Sequence, residues 1–110
     1  MQIEKSERDG IAVLAASGRF DLVSAPQMKA TVDELVASGQ PRIIVDLSGV
    51  ELIDSSGLGA LVGSLKTTRQ AGGDLRIAAP GEQVRAVLSL THLDHIFRAY
   101  AGAEDALRGW

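Results

Sequence analysis

The first twenty residues carry the polar and apolar pattern of a β-hairpin. Asp9-Gly10 is a two-residue turn signal, because a type I′ turn needs a positive φ at both central positions. Apolar residues recur at every second position from Ile11 to Ala15, as in a strand that buries one face. The pattern therefore predicts a hairpin from about Ile3 to Ser17.

Beyond the hairpin, helical patterns alternate with short β-branched runs. The first helix is expected to have Ser24 as its N-cap and Pro26 in its first turn. The run Ile43–Leu47 is apolar almost throughout, which favours a central parallel strand with both faces buried. The predicted elements are a helix with Met28, Val32, Leu35 and Val36 on one face, the strand Ile43–Leu47, a helix with Leu58, Leu61, Val62 and Leu65 on one face, the strand Leu75–Ala79, a helix with Val84, Val87 and Leu88 on one face, an edge strand Ile96–Tyr100 and a short helix Glu104–Arg108.

This order of elements predicts an α/β fold. Strands that alternate with helices imply parallel pairing with right-handed crossovers, and the initial hairpin adds an antiparallel strand. We expect one mixed sheet of about five strands with about four helices packed on it. The length of 110 residues fits a single domain over residues 1–110.

Composition and charge exclude several kinds of function. The chain has no cysteine, which excludes disulfides, thiolate zinc sites and a cysteine nucleophile. Its formal net charge of −3 and its lack of a Lys- or Arg-rich run argue against nucleic-acid binding. No apolar run approaches the length of a membrane helix, and the first residues are too polar for a signal peptide. The expected setting is therefore the cytoplasm, with neither nucleic acid nor membrane as a partner.

The segment Asp54–Gly59 is the strongest candidate for a functional site. It follows the predicted buried strand and opens the second helix, at the carboxyl end of a parallel strand where open α/β sheets place their sites. Asp54 or Ser55 can cap this helix, and capping alone is a sufficient structural reason for such residues.

Helical periodicity separates the two serines of this segment. With Leu58 and Leu65 turned inward, Ser56 is expected to point outward and Ser55 to lean toward the edge of the apolar face. The expected outward stripe consists of small residues, namely Ser56, Gly59, Ala60, Gly63 and Thr67. Because each glycine inside a helix costs up to about 1 kcal/mol relative to alanine, the stripe favours close approach by a protein partner. Phosphorylation of Ser56 would then block that partner by charge and desolvation without changing the fold.

With these motifs, the sequence resembles the bacterial anti-sigma factor antagonists, which consist of a single STAS domain. The resemblance covers nearly the whole chain. It rests on Asp54-Ser55-Ser56-Gly57-Leu58-Gly59 after Ile43-Ile44-Val45-Asp46-Leu47, on Gly18-Arg19-Phe20-Asp21 followed by Ala25-Pro26, and on Gly72-Gly73 before Leu75-Arg76-Ile77.

The resemblance implies a mechanism and a set of site residues. The unphosphorylated antagonist binds an anti-sigma factor that is also a serine kinase, and the sigma factor is released. The kinase then phosphorylates the antagonist, on the residue that falls at Ser56, and a metal-dependent serine phosphatase reverses this. Asp21 and Asp54 are expected to contact the kinase or to orient the hydroxyl. The expected partner-binding residues are Asp21, Asp54, Ser55, Gly57, Gly59, Ala60 and Gly63.

Other readings of the same residues are weaker. Gly57-x-Gly59-x-x-x-Gly63 approaches a dinucleotide fingerprint, but its third glycine comes one residue late, and a P-loop lysine is also out of place. A hydrolase would need a nucleophile elbow, which is absent. His92 and His95 with Asp94 are too few to indicate a metal site. We therefore expect no enzyme activity, cofactor or metal; the open alternative is a non-switching STAS interaction subunit of a transporter or signalling assembly.

Overall fold

The computed structural model describes residues 1–110 and contains one five-stranded sheet with helices on both faces. The elements are β1 (Gln2–Arg8), β2 (Ile11–Phe20), α1 (Ala25–Ala37), β3 (Arg42–Ile53), α2 (Ser55–Gln70), β4 (Asp74–Ala78), α3 (Glu82–Leu90), a short 3-10 helix (Leu93–His95), β5 (Ala99–Tyr100) and α4 (Ala103–Leu107).

The strands lie side by side in the order of the chain. β1 pairs antiparallel with β2, and all other neighbouring strands pair in parallel. The hairpin turn has φ angles of 56° at Asp9 and 80° at Gly10, as a type I′ turn requires. The prediction of a mixed α/β sheet of five strands with an N-terminal hairpin and four helices is confirmed.

The main core lies between the sheet and the first three helices. α1, α2 and α3 each contribute buried apolar residues to it, together with the inward faces of β2, β3 and β4. A smaller core lies on the other face of the sheet, where α4 covers it. Consequently the loops at the carboxyl ends of β2 and β3, which lead into α1 and α2, meet at one end of the sheet.

The smaller core contains a buried cation that the sequence analysis did not foresee. Arg76 is only 7% exposed and lies with its guanidinium carbon 4.2 Å from the ring centre of Trp110. It donates a hydrogen bond of 2.8 Å to the carbonyl of Ala106, near the end of α4. Two aromatic rings and a helix C-terminus therefore hold this charge in place of a carboxylate.

Two predicted strands have wrong bounds. β3 continues beyond Leu47 to Ile53, because its second half pairs with β2 across two register shifts. β5 has only two residues, because the chain before it forms the 3-10 helix and Phe97 is buried in the main core. No helix has both the length and the apolar character that crossing a membrane requires.

Candidate functional site

The predicted site lies where the end of β2 meets the start of α2. The backbone N–H of Asp54 donates to the carbonyl of Phe20 at 3.2 Å, which joins the ends of the two strands. Asp21 directly follows Phe20, so Asp21 and Asp54, the two acidic residues of the predicted site, both lie at this junction.

Gly57 allows the close contact between α2 and β2. A Cβ at this position would lie 2.3 Å from the carbonyl oxygen of Phe20 and 2.8 Å from Cγ1 of Ile53. No side chain fits there unless the helix moves away from the strand. Gly57 is also buried, and its contact with a partner stays a prediction.

Asp54 is the N-cap of α2. Its carboxylate accepts a hydrogen bond of 2.9 Å from the backbone N–H of Gly57, three residues later. Of the two caps that the sequence allowed, the structure therefore uses Asp54. Ser55, the first residue of the helix, is exposed.

The loop Asp21–Ser24 is held together by its own polar groups. The Asp21 carboxylate accepts hydrogen bonds from the backbone N–H groups of Val23 and Ser24, at 3.1 and 3.2 Å. These bonds, that of Ser24 first, lower the pKa of Asp21 below its ordinary value. The buried hydroxyl of Ser24 donates to the carbonyl of Arg19 at 2.8 Å and accepts from the N–H of Asp21 at 2.9 Å.

Ser24 is the N-cap residue of α1, as predicted, but it does not cap the helix through its side chain. Its hydroxyl makes no capping hydrogen bond, because it is already engaged by the loop that precedes the helix. The same loop presents two apolar residues to solvent, since Leu22 is 73% exposed and Val23 is 88% exposed. Neither residue was among the predicted site residues, although a Leu-Val pair in a loop between a strand and a helix is a visible sequence signal.

The buried face of α2 differs from the prediction. Ser64 and Thr68 are buried, whereas Val62 is 38% exposed. Relative to the predicted face, this turns the buried face by roughly 50° at 3.6 residues per turn. The buried residues are Gly57, Leu58, Leu61, Ser64, Leu65 and Thr68.

The exposure of the two serines differs from the expectation. Ser55 is exposed and Ser56 is half-buried. Ser55 shares its side of the helix with other exposed residues at i+4, i+7 and i+11, which we call the outer stripe: Ser55, Gly59, Val62 and Lys66. Ser56 shares its side with half-buried residues at the same spacing, which we call the α1 flank: Ser56, Ala60, Gly63 and Thr67.

The α1 flank is covered by the chain itself. A Cβ at Gly63 would lie 3.3 Å from Cε of Lys29 in α1, and the Lys29 ammonium donates to the hydroxyl of Thr67 at 3.1 Å. Ala60 packs against the main core. The expectation that no segment of this chain covers Gly63 and Thr67 is therefore wrong, because α1 lies beside α2.

Gly59 differs from the other helical glycines. A Cβ at this position would meet nothing within 4 Å. Nothing in the fold of this chain therefore requires a glycine there, although glycine lowers the stability of a helix interior. The structure places Asp21, Asp54, Ser55 and Gly59 on one accessible end of the molecule.

The histidines lie elsewhere. His92 and His95 are both exposed, at the end of α3 and in the 3-10 helix, with ring centres 6.2 Å apart. No group of three or more His, Asp or Glu side chains is arranged to hold a metal ion. The Asp46 carboxylate accepts a hydrogen bond of 2.9 Å from the backbone N–H of Ser48, which is a local structural role.

Comparisons with known proteins agree with this fold. A protein of Thermotoga maritima named as an anti-sigma factor antagonist is 36% identical over 100 residues, which are 90% of this chain and 88% of that protein. The anti-sigma-F factor antagonist RsfB of Mycobacterium tuberculosis is 32% identical over 106 residues, which are 94% of this chain and 84% of RsfB.

Solved structures show the same architecture. A crystal structure of an anti-sigma factor antagonist from Thermotoga maritima superposes with a TM-score of 0.90 at 34% identity, over 96% of this chain and 91% of that one. The Bacillus protein SpoIIAA, solved in unphosphorylated and phosphorylated forms, superposes with TM-scores of 0.74 and 0.76. The two SpoIIAA forms cover 99% and 96% of this chain and 100% and 96% of their own, but at 17% and 20% identity they show the fold alone.

The family itself is identified by a sequence profile. The profile of the STAS domain matches residues 2–106, which is nearly the whole chain. The resemblance drawn from the Asp54–Gly59 motif and its surroundings is thereby confirmed, together with the STAS fold. This chain belongs to the STAS domain family, and the similar proteins described above carry the name anti-sigma factor antagonist.

Proposed function

We propose that this protein is an anti-sigma factor antagonist controlled by phosphorylation of the Ser55–Ser56 pair. The unmodified form binds an anti-sigma factor that is also a serine kinase, and the sigma factor is released. Phosphorylation by that kinase ends the binding, and a serine phosphatase restores it. The names of the two relatives at 36% and 32% identity support the antagonist role.

The observation that carries this proposal is the exposure of Ser55 on an open surface. Its hydroxyl lies in the first turn of α2, and the next residue on the same side is Gly59, which has no neighbour within 4 Å at its Cβ position. A kinase can reach this hydroxyl, and a partner can approach the helix closely. Asp21 and Asp54, on either side of the junction, give this end of the molecule a negative charge.

Ser55 is the better acceptor of the two serines. Ser56 is half-buried, so its hydroxyl is less accessible to a kinase than that of Ser55. The assignment of the modified residue thus moves one position from the one that the sequence favoured. The existence of a phosphorylated form of SpoIIAA supports the switch, because SpoIIAA has the same fold.

A phosphate at Ser55 acts on the partner more than on the fold. It adds a charge of about −1.5 to −2 at pH 7. The positive end of the α2 dipole tolerates an anion at this position, so we expect the domain to stay folded. A partner packed on the outer stripe meets added bulk, negative charge and a desolvation cost. A loss of about 4 kcal/mol weakens binding about a thousandfold.

The test is phosphorylation by purified kinases. Each anti-sigma factor kinase of the source organism is incubated with the protein and ATP, and the intact mass is measured. We expect a gain of one phosphate that Ser55→Ala abolishes and that Ser89→Ala, a change of an exposed serine on α3, leaves unchanged. Loss in Ser56→Ala instead would keep the switch but contradict the choice of serine.

The competing function makes a different prediction in the same experiment. A non-switching STAS interaction subunit gains no phosphate with any of these kinases. A phosphate that maps to Thr67 or Thr68 would also contradict the proposal, because both lie away from the exposed end of α2.

A further inference from the structure

We propose that Leu22 and Val23 are the apolar anchor that fixes this protein to its partner, and that the partner receives them in an apolar pocket with a positively charged rim. This inference rests on the proposed function, because the partner is the anti-sigma factor kinase. Asp21 of the loop Asp21–Ser24 is already an expected contact of the kinase, and the inference adds the two exposed apolar side chains that follow it.

The exposure of this pair is unusual within the molecule. Only three large apolar residues are more than 70% exposed, namely Leu22 at 73%, Val23 at 88% and Leu90 at 81%. Two of the three are neighbours in one loop, and this loop adjoins the exposed serine. Single exposed apolar residues are common on protein surfaces, but adjacent ones beside a functional site indicate a contact surface.

The loop that carries the pair is preorganised. The Asp21 carboxylate holds the N–H groups of Val23 and Ser24, and the buried hydroxyl of Ser24 is bonded to the carbonyl of Arg19. The N–H of Ala25 donates to the carbonyl of Asp21 at 2.8 Å, which closes the loop onto α1. The backbone polar groups are thus directed inward and the two apolar side chains outward, so little conformational entropy is lost on binding.

The position of the loop connects it to the phosphorylation site. Phe20 lies directly before the loop. Its carbonyl oxygen accepts a hydrogen bond from the N–H of Asp54 and would lie 2.3 Å from a Cβ at Gly57 of α2. One flat partner surface can therefore cover the loop and the first turn of α2 together. A phosphate on Ser55 then opposes the burial of the neighbouring apolar pair, because the charge must lose its water in the same interface.

The charge of the loop determines the rim of the pocket. The Asp21 carboxylate is held ionised by its hydrogen bonds and lies next to Leu22. Asp54 adds a second carboxylate at the same end of the sheet. The carboxylate already accepts from the N–H groups of Val23 and Ser24, and a cation of the partner near Asp21 would compensate for the water that the carboxylate loses in the interface.

The test uses the unphosphorylated protein and each purified anti-sigma factor kinase, with the dissociation constant measured by calorimetry. Leu22→Ser and Val23→Ser should each raise the dissociation constant about tenfold, and the double variant about a hundredfold. Leu22→Met should bind like the wild type, since it keeps an apolar side chain of similar size. All variants should unfold at the wild-type temperature, because both side chains are exposed.

The matched control is Leu90→Ser, which removes an equally exposed leucine at the end of α3. It should leave the dissociation constant unchanged, and an effect as large as that of Leu22→Ser would overturn the inference. Wild-type binding by the double variant, with binding lost in Ser55→Asp, would also overturn it while leaving the proposed function intact. If the wild type binds no kinase, the proposed function fails and the inference fails with it. If both Ser55→Asp and Ser56→Asp bind as well as the wild type, the switch fails, while Leu22→Ser and Val23→Ser still decide whether the loop is the anchor.

Discussion

Two stripes of residues, each with one glycine, run side by side along α2, one residue out of phase, and they meet different neighbours. The α1 flank is half-buried, and its Gly63 and Thr67 lie against Lys29. The outer stripe is exposed, and its Gly59 touches nothing. Glycine therefore lies against α1 at position 63, whereas at position 59 it leaves an open surface.

This comparison explains why the two serines of the motif are not equivalent. Ser56 belongs to the α1 flank and Ser55 to the outer stripe, although they are adjacent in sequence. A step of one residue along a helix turns a side chain by about 100°. After a turn of roughly 50° in the buried face, both serines lie more than roughly 100° from its centre, and their exposed fractions distinguish them.

The largest effect that separates the two stripes is expected for Gly59→Arg. The new side chain stands in the open space of the outer stripe, so the fold stays intact while partner binding falls about a thousandfold, or about 4 kcal/mol. Calorimetry with the kinase measures the binding and thermal unfolding measures the fold. The same substitution at Ser89, an exposed position of α3, is the control. Unchanged affinity in Gly59→Arg would show that the outer stripe is not an interface.

A large effect on stability is expected for Gly57→Ala, at the buried start of the same helix. The added methyl group overlaps the carbonyl oxygen of Phe20, which should cost about 2 to 3 kcal/mol of unfolding free energy and lower the melting temperature by about 10 °C. Gly59→Ala should instead raise the unfolding free energy by up to about 1 kcal/mol. Equal melting temperatures for the two variants would contradict the described contact between α2 and β2.

A smaller effect distinguishes Gly63 from Gly59 directly. Gly63→Ala gains helix propensity but pushes the stem of Lys29 by a few tenths of an ångström, so its net change in unfolding free energy should stay below about 0.5 kcal/mol. Chemical denaturation measures both alanine variants under the same conditions. If Gly63→Ala gained as much stability as Gly59→Ala, Lys29 would not be covering the α1 flank.

The smallest effect on stability concerns the charge of the loop beside the outer stripe. Because the pKa of Asp21 is lowered in the folded state, its carboxylate contributes stability above the ordinary carboxyl pKa of about 3.9. That contribution disappears as the pH falls through the lowered pKa. The stability difference between the wild type and Asp21→Asn should therefore be constant above about pH 5 and shrink as the pH falls below the ordinary carboxyl pKa.

Acid titration of unfolding, followed by circular dichroism, measures this difference. Asparagine keeps the oxygen that accepts from Val23 and Ser24, so the melting temperature at neutral pH should change little. A difference that grows toward low pH would have the wrong sign for a lowered pKa. A much earlier unfolding at pH 7 would mean that Asp21 is mainly structural.

Much of the fold follows from local signals in the sequence. Asp9-Gly10 specifies its turn through two positive φ angles, and Asp54 specifies the start of α2 through its hydrogen bond to Gly57. The features that the sequence did not reveal depend on contacts between distant segments. Lys29 reaches the α1 flank from another helix, and Arg76 is buried between residues more than twenty positions away.

The candidate site likewise has local features that the sequence predicts and long-range features that it does not. The motif Asp54–Gly59 identified the correct end of the sheet, because a cap and a strand end are local. It did not orient Ser56, because Ser64 and Thr68 are buried despite their hydroxyls, and apolar periodicity alone cannot show this. Leu22 and Val23 were missed because a loop has no periodicity from which exposure can be predicted.

The most direct test of the account is the affinity of one anti-sigma factor kinase for the unmodified protein and for protein fully phosphorylated on Ser55, compared by calorimetry. We expect tight binding of the first and binding about a thousandfold weaker of the second, with the same melting temperature for both. Equal affinity of the two forms would contradict the central claim that a phosphate at the exposed end of α2 controls the partner.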